Sequence, residues 1–248
     1  MKVKYALLVA LSALGCVILG SVVNKVCIHV QKDKNIVSTE YGISEIKKLE
    51  SKNVVELEKK INSMKKETLD KKNFKSIFSN SVIMGDSISE GLVGYGILNK
   101  SSVVAVKGRN TSTAMKDIPT TINLQPSNVF LTYGMNDIAY FSGNIENFIK
   151  QYKKMINEIK TNLPQTDIYI TGILPVQQKA INKQHVYVKL DQFNEALKVM
   201  CNENGLTFVE TKQLLSEDSK YYEPDGIHVK MGFYPIWLDV LAKAANLY

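Results

Sequence analysis

Cysteine and histidine are scarce, with three of each in 248 residues. Cys16, Cys27 and Cys201 are too few and too scattered for a disulfide framework. Only Cys201 lies beyond residue 78, so no bridge can form within the C-terminal two thirds of the chain. There is no CxxC and no HExxH, and His29, His185 and His228 stand far apart, so no metal site is expected, and no cofactor. A basic excess is also missing where a domain would lie. The chain carries a formal charge of +7, but residues 79–248 hold 16 basic and 16 acidic side chains. The whole excess belongs to residues 1–78, with 15 lysines against 8 acids. A nucleic-acid domain shows a basic footprint of its own, so nucleic acid is excluded as a partner. A basic leader near anionic lipid or an anionic wall accounts for the charge.

Residues 5–23 form a run of 19 without a charge. As a helix it is about 28 Å long, close to the hydrocarbon thickness of a bilayer. A cleaved secretory signal has a shorter apolar core, and a lipoprotein processed at Cys16 would turn polar where Val17, Ile18 and Leu19 continue the run. The expectation is a signal-anchor transmembrane helix over 1–24, with cleavage and lipidation as the alternatives. Lys2 and Lys4 before the span and Lys25, Lys32 and Lys34 after it leave the positive-inside count ambiguous. The short N-terminal tail ahead of an apolar core is that of an export signal, which places the following domain on the extracytoplasmic side of a single-pass anchor. Residues 43–68 read as a helical stalk in which Val54, Leu57, Ile61 and Met64 repeat at coiled-coil spacing over barely two heptads. A solvated stalk is favoured over a stalk-mediated dimer. Residues 69–78 read as a lysine-rich linker, so that 25–78 is stalk and linker and 79–248 the domain.

From residue 79, short apolar runs alternate with longer helical ones. Strands are expected at 81–84, 102–106, 128–132, 167–171 and 206–209, with helices at about 112–118, 144–162, 187–204 and 231–245. Five buried strands joined by helices imply an α/β fold, a three-layer α/β/α arrangement around a five-stranded parallel sheet. In such sheets sites lie beyond the carboxyl ends of the strands.

Four short blocks appear in order, and three of them fall where that rule asks. Gly85-Asp86-Ser87-Ile88 follows the first strand, Gly108 the second and Gly134-Met135-Asn136-Asp137 the third; Asp225-Gly226-Ile227-His228 precedes the last helix. Over residues 80–245 this pattern resembles the SGNH (GDSL-type) serine hydrolase superfamily, whose fold is flavodoxin-like. The resemblance implies that Ser87 is the nucleophile, that His228 is its general base, and that Asp225 orients the imidazole. It further implies an oxyanion hole formed by the backbone N–H groups of Ser87 and Gly108 and the side-chain amide of Asn136.

Chemistry asks for the same residue types. A serine hydroxyl attacks well only when a base takes its proton, and imidazole accepts and returns protons near neutrality. A carboxylate on the far ring nitrogen fixes the tautomer. Preset donors stabilise the tetrahedral oxyanion. Each block alone has a plainer reading: Ser87 with Glu90 fits a capping box that starts a helix, and Asp225-Gly226 fits a turn. Asp86 and Asp137 read as scaffold that bonds nearby backbone. The four blocks together, in order, point to an esterase acting on carboxylic, mainly acetyl, esters. The alternatives are an O-acyltransferase with the same triad and a non-catalytic surface binding module. Tyr95, Tyr140, Phe141 and Gln177-Gln178 fall in segments expected to rim the pocket, where they would suit a sugar ring of cell-wall polysaccharide or peptidoglycan. His185 reads as loop decoration.

Overall fold

The computed structural model describes residues 72–248 continuously and thirteen scattered positions between 43 and 69. The run at 5–23 lies outside the described residues. Among those described, no helix is long and apolar enough to cross a membrane. Contacts divide the chain into one unit over 1–65 and another over 66–248. In the first unit the described residues are helical and exposed, Val54 and Leu57 among them.

The second unit is built on five strands: β1 (Ser81–Gly85), β2 (Val103–Ala105), β3 (Asn128–Leu131), β4 (Asp167–Thr171) and β5 (Thr207–Val209). All pair in parallel in the order β2-β1-β3-β4-β5. Eight helices accompany them among the described residues of this unit: α1 (Phe74–Ile77), α2 (Ser87–Gly94), α3 (Ile118–Leu124), α4 (Met135–Tyr140), α5 (Ile145–Asn162), α6 (Gln178–Lys183), α7 (Leu190–Glu203) and α8 (Tyr234–Ala244). Strand side chains alternate between two cores, as a period of two requires. Val82, Met84, Val129, Leu131, Ile168 and Ile170 face one cluster with α5 and α7. Ile83, Phe130, Tyr169 and Val209 face the other, with α2 and α8. The expected α/β/α layers are therefore present, with strand ends within two residues of the sequence reading. The helices at 87–94, 135–140 and 178–183 have no counterpart in that reading, because eight residues or fewer give no readable 3.6-residue period.

Residues 72–78 depart from the linker reading. Phe74 and Phe78 are buried in the α8-side core, and Phe78 lies against Phe130 of β3. Lys72 Nζ donates to Asp239 of α8 at 2.5 Å. The lysines mask two aromatics spaced to reach one face, and burial of those rings makes the segment part of the domain.

The strand order decides which loops meet. From β1 the chain crosses to β2 on one side and then returns to β3 on the other, so the carboxyl ends of β1 and β3 part at a topological switch point. The loops after β2, β1 and β3 are neighbours because their strands are.

Candidate active site

Ser87 is the second residue after β1 and the first of α2. The helix is not capped by Ser87, as a capping box would have it. Asp86 is the N-cap: its Oδ1 accepts from Ile88 N at 3.0 Å. Glu90 does not reach back to the cap, and its Oε2 accepts from Lys107 N instead. The hydroxyl of Ser87 is thereby left free for other work, while its N–H lies in the first turn, where helices have no internal acceptors.

That hydroxyl meets the imidazole of the last loop. Ser87 Oγ lies 2.9 Å from His228 Nε2, across 141 residues of sequence. His228 Nδ1 lies 2.5 Å from Asp225 Oδ2. The other Asp225 oxygen accepts from the N–H groups of Ile227 and His228, at 2.9 and 3.0 Å, an Asx turn that folds the DGIH block on itself. Burial pushes the Asp225 carboxyl up, but these N–H donors and the imidazole outweigh it and hold it below its ordinary range. An antiparallel bridge between Tyr222 and Val229 and a bond from Tyr222 Oη to Pro175 O at 2.8 Å pin the loop.

The remaining blocks converge through Asn136. Its Nδ2 donates to Asp86 Oδ2 at 3.1 Å and to the carbonyl of Arg109 at 2.9 Å. One amide thus ties the residue before Ser87 to the residue after Gly108. Asp137, beside it, accepts from both the N–H and the hydroxyl of Thr111, at 2.8 and 2.5 Å. Asp86 and Asp137 are scaffold, as expected, although Asp137 holds the β2 loop rather than its own. Both are almost fully buried. Burial pushes each carboxyl up to about 6, against the pull of Ile88 N–H on Asp86 and of Thr111 on Asp137.

Two glycines set the backbone of these loops. Gly108 has φ +77°, a left-handed conformation that disfavours a side chain, while a Cβ there would meet nothing within 4 Å. No protein group approaches it closely, so within the fold itself the requirement for glycine is conformational. Gly134, the N-cap of α4, has φ +142°, and a Cβ would lie 2.4 Å from Ile173.

A cleft of 810 Å³ opens over the serine, lined by Glu90, Gly94, Tyr95, Lys107, Glu223 and Tyr234 together with Ser87, Asp225 and His228. Tyr95 is on the rim as expected. Gln177 and Gln178 are not in this lining: they bond Glu217 and hold two loops together. Tyr140 and Phe141 pack edge to face on each other, and His185 is exposed at the start of a 3-10 turn. Glu223 and Tyr234 escape sequence reasoning, since both belong to segments whose pattern signals only a turn and a core helix. Tyr234 Oη donates to Ile88 O, fastening α8 to the helix that Ser87 heads.

A family model described as GDSL-like Lipase/Acylhydrolase family matches residues 83–231. No curated protein matches the chain. Among solved structures, the chain is similar to a GDSL-like lipase from Bacteroides thetaiotaomicron, with 21% identity and a TM-score of 0.56 over 67% of this chain and 87% of that one. It is also similar to a carbohydrate esterase family 3 protein from Talaromyces cellulolyticus, at 15% identity, TM-score 0.53, 67% and 95%. A third is a catalytic mutant of an acetylxylan esterase from Geobacillus stearothermophilus, at 14% identity, TM-score 0.50, 66% and 92%. At these identities the three speak for the fold alone.

Proposed function

We propose, from the premise that this chain belongs to the GDSL-like lipase/acylhydrolase family and is an ester hydrolase, that it removes short acyl groups, acetyl above all, from hydroxyls of cell-wall polysaccharide or peptidoglycan. Ser87 attacks the acyl carbon. His228 Nε2 takes the hydroxyl proton and returns it to the departing alcohol, and water then releases the acyl group by the same path in reverse. Asp225 receives the Nδ1 proton as a hydrogen bond, which leaves the Nε2 lone pair toward Ser87. The developing oxyanion is held by the N–H groups of Ser87 and Gly108 and by the Asn136 amide.

The observation that carries this reading is the unbroken chain Asp225 Oδ2, His228 Nδ1, His228 Nε2, Ser87 Oγ, with its two contacts at 2.5 and 2.9 Å. The substrate class draws support from the cleft, where Glu90, Lys107, Glu223 and Tyr95 offer charged and hydroxyl groups around the serine, suited to a polyhydroxylated alcohol. Two of the similar structures are a carbohydrate esterase and an acetylxylan esterase. The uncharged run at 5–23 supports a membrane-tethered, extracytoplasmic enzyme.

The test uses the detergent-purified full chain with p-nitrophenyl acetate and with acetylated wall polysaccharide. Ser87→Ala is expected to lower turnover by about 10⁴-fold or more with unchanged thermal unfolding. Equal turnover by both proteins would reject the nucleophile. Release of p-nitrophenol without release of acetate from the polysaccharide would reject the substrate class alone. Protease accessibility of the domain in intact cells tests the orientation.

A further inference from the structure

The amide of Asn136 has two N–H bonds, and in this structure both are taken: one by Asp86 Oδ2 at 3.1 Å, one by Arg109 O at 2.9 Å. Both partners are pure acceptors, so the amide has one stable orientation. Turning it over would set its own carbonyl oxygen against a carboxylate and a carbonyl at once. Asp86 cannot move away to suit other needs. It is 2% exposed, and its second oxygen caps α2 through Ile88 N. One buried carboxylate therefore fixes two things together: the start of the helix that carries Ser87, and the direction in which Asn136 points its NH₂ group.

We infer that Asp86 is the positioning residue of the oxyanion hole: it aims the Asn136 amide in the resting enzyme and shares that N–H with the oxyanion when it forms. This rests on the reading of Asn136 as an oxyanion donor. Asp86 is not among the residues that line the cleft and makes no hydrogen bond to Ser87 Oγ or the His228 ring. Its contribution to the oxyanion hole acts through Asn136 and exists only while Asn136 is an amide; the cap on α2 is a separate role. A fixed donor needs no reorganisation when charge develops, which is where such donors gain their effect.

Asp86→Ser isolates this role, because serine is also a good N-cap and keeps a bond to the first turn of α2 while losing the reach to Asn136. In the full chain, Asp86→Ser is expected to lower kcat about 10- to 100-fold with KM within a factor of two. Asn136→Ala alone is expected to lower kcat about 10²- to 10³-fold. The double variant is expected to match Asn136→Ala, since a residue acting only through Asn136 has nothing left to act on. Fold losses that multiply in the double variant would overturn the proposal, as would an unchanged kcat in Asp86→Ser. Should Asp86→Ser not fold, Asp86→Asn keeps the shape and opposes one NH₂ to another; it must give the same non-multiplying loss, and a multiplying one overturns the proposal. If Asn136→Ala retains full kcat while Ser87→Ala is inactive, the oxyanion assignment itself fails and the proposal with it. Active Ser87→Ala would instead remove the esterase mechanism beneath both.

Discussion

The two halves of the site are held in different ways. The proposed nucleophile and donor half sits on three adjacent strand ends and is cross-tied by buried and part-buried bonds: Asp86 to Ile88 and Asn136, Asn136 to Arg109, Asp137 to Thr111. The base half comes from an excursion after β5, and the side chains of His228 and Asp225 are 40% and 41% exposed. The Asx turn and the Tyr222–Val229 bridge hold it locally, and the Tyr222 hydroxyl and Gln177 N tie it to the segment after β4. Donors must be preset before charge develops, so they belong in the rigid part. A base that moves protons in both directions gains from lying nearer the solvent and the substrate's entry. Changes to the cross-ties of the first half should therefore alter activity and stability together, whereas changes to the second half, like loss of the Ser87 hydroxyl itself, should alter activity alone.

The largest effects test that division at its catalytic end. His228→Ala should lower kcat by roughly 10⁵- to 10⁶-fold, yet shift the midpoint of thermal unfolding by no more than a degree or two. Asp225→Asn should cost about 10⁴-fold by presenting the wrong tautomer to Ser87. Its stability should also barely move at neutral pH, since the amide oxygen can still close the turn on Ile227. A large loss of stability in either variant would show that the base half is structural too and erase the contrast.

A truncation comes next in size. A fragment beginning at residue 79 omits Phe74 and Phe78, while one beginning at 66 keeps them in the α8-side core. Burying two phenylalanines stabilises by roughly 3–6 kcal/mol, an upper bound from transfer energies. Denaturant titration should find the shorter fragment less stable by several kcal/mol, or unfolded. The strands are legible because each is a short apolar run ending in a glycine or polar block, and the catalytic blocks because their residue types are demanded by the chemistry. Residues 72–78 pass for a linker because lysines at 71, 72 and 75 hide two buried rings. The cap at Asp86 is hidden because Ser87 and Glu90 satisfy the same local pattern one residue later. The helix after the third strand supplies Asn136 as a partner for the Asp86 carboxylate, a contact no local pattern shows.

The donor half makes a prediction in pH. Asp137 is buried, accepts two bonds from Thr111 on one oxygen, and its Oδ2 has no partner among the described residues. Burial lifts its carboxyl from 3.8 to about 6. Between those values the folded chain holds a proton on Asp137 that the unfolded chain has released, so this group's contribution to stability is greatest below about pH 4 and falls as pH rises toward 6. Two units correspond to at most about 3 kcal/mol. Asp137→Asn keeps an acceptor for Thr111 and removes the buried charge. It should make the fall measured by urea titration between pH 4 and 6 shallower, with the part due to Asp86, also raised to about 6, remaining, and should gain on the wild type as pH rises. An unchanged slope would mean the carboxylate is better solvated than its burial implies.

The smallest effect probes the pinning of the base half. Tyr222→Phe removes only the hydroxyl that donates to Pro175 O, worth about 1 kcal/mol where the bond is made. If that bond serves the loop and not the core, the global unfolding midpoint should stay put while kcat falls a few-fold, because the imidazole spends less time in reach of Ser87. KM should hold, as Tyr222 is not among the residues that line the cleft. The opposite pattern, a loss of about 1 kcal/mol in stability with full kcat, would place Tyr222 with the core and leave the Asx turn, the backbone bridge and the bond from Gln177 N to Gly226 O to aim the base.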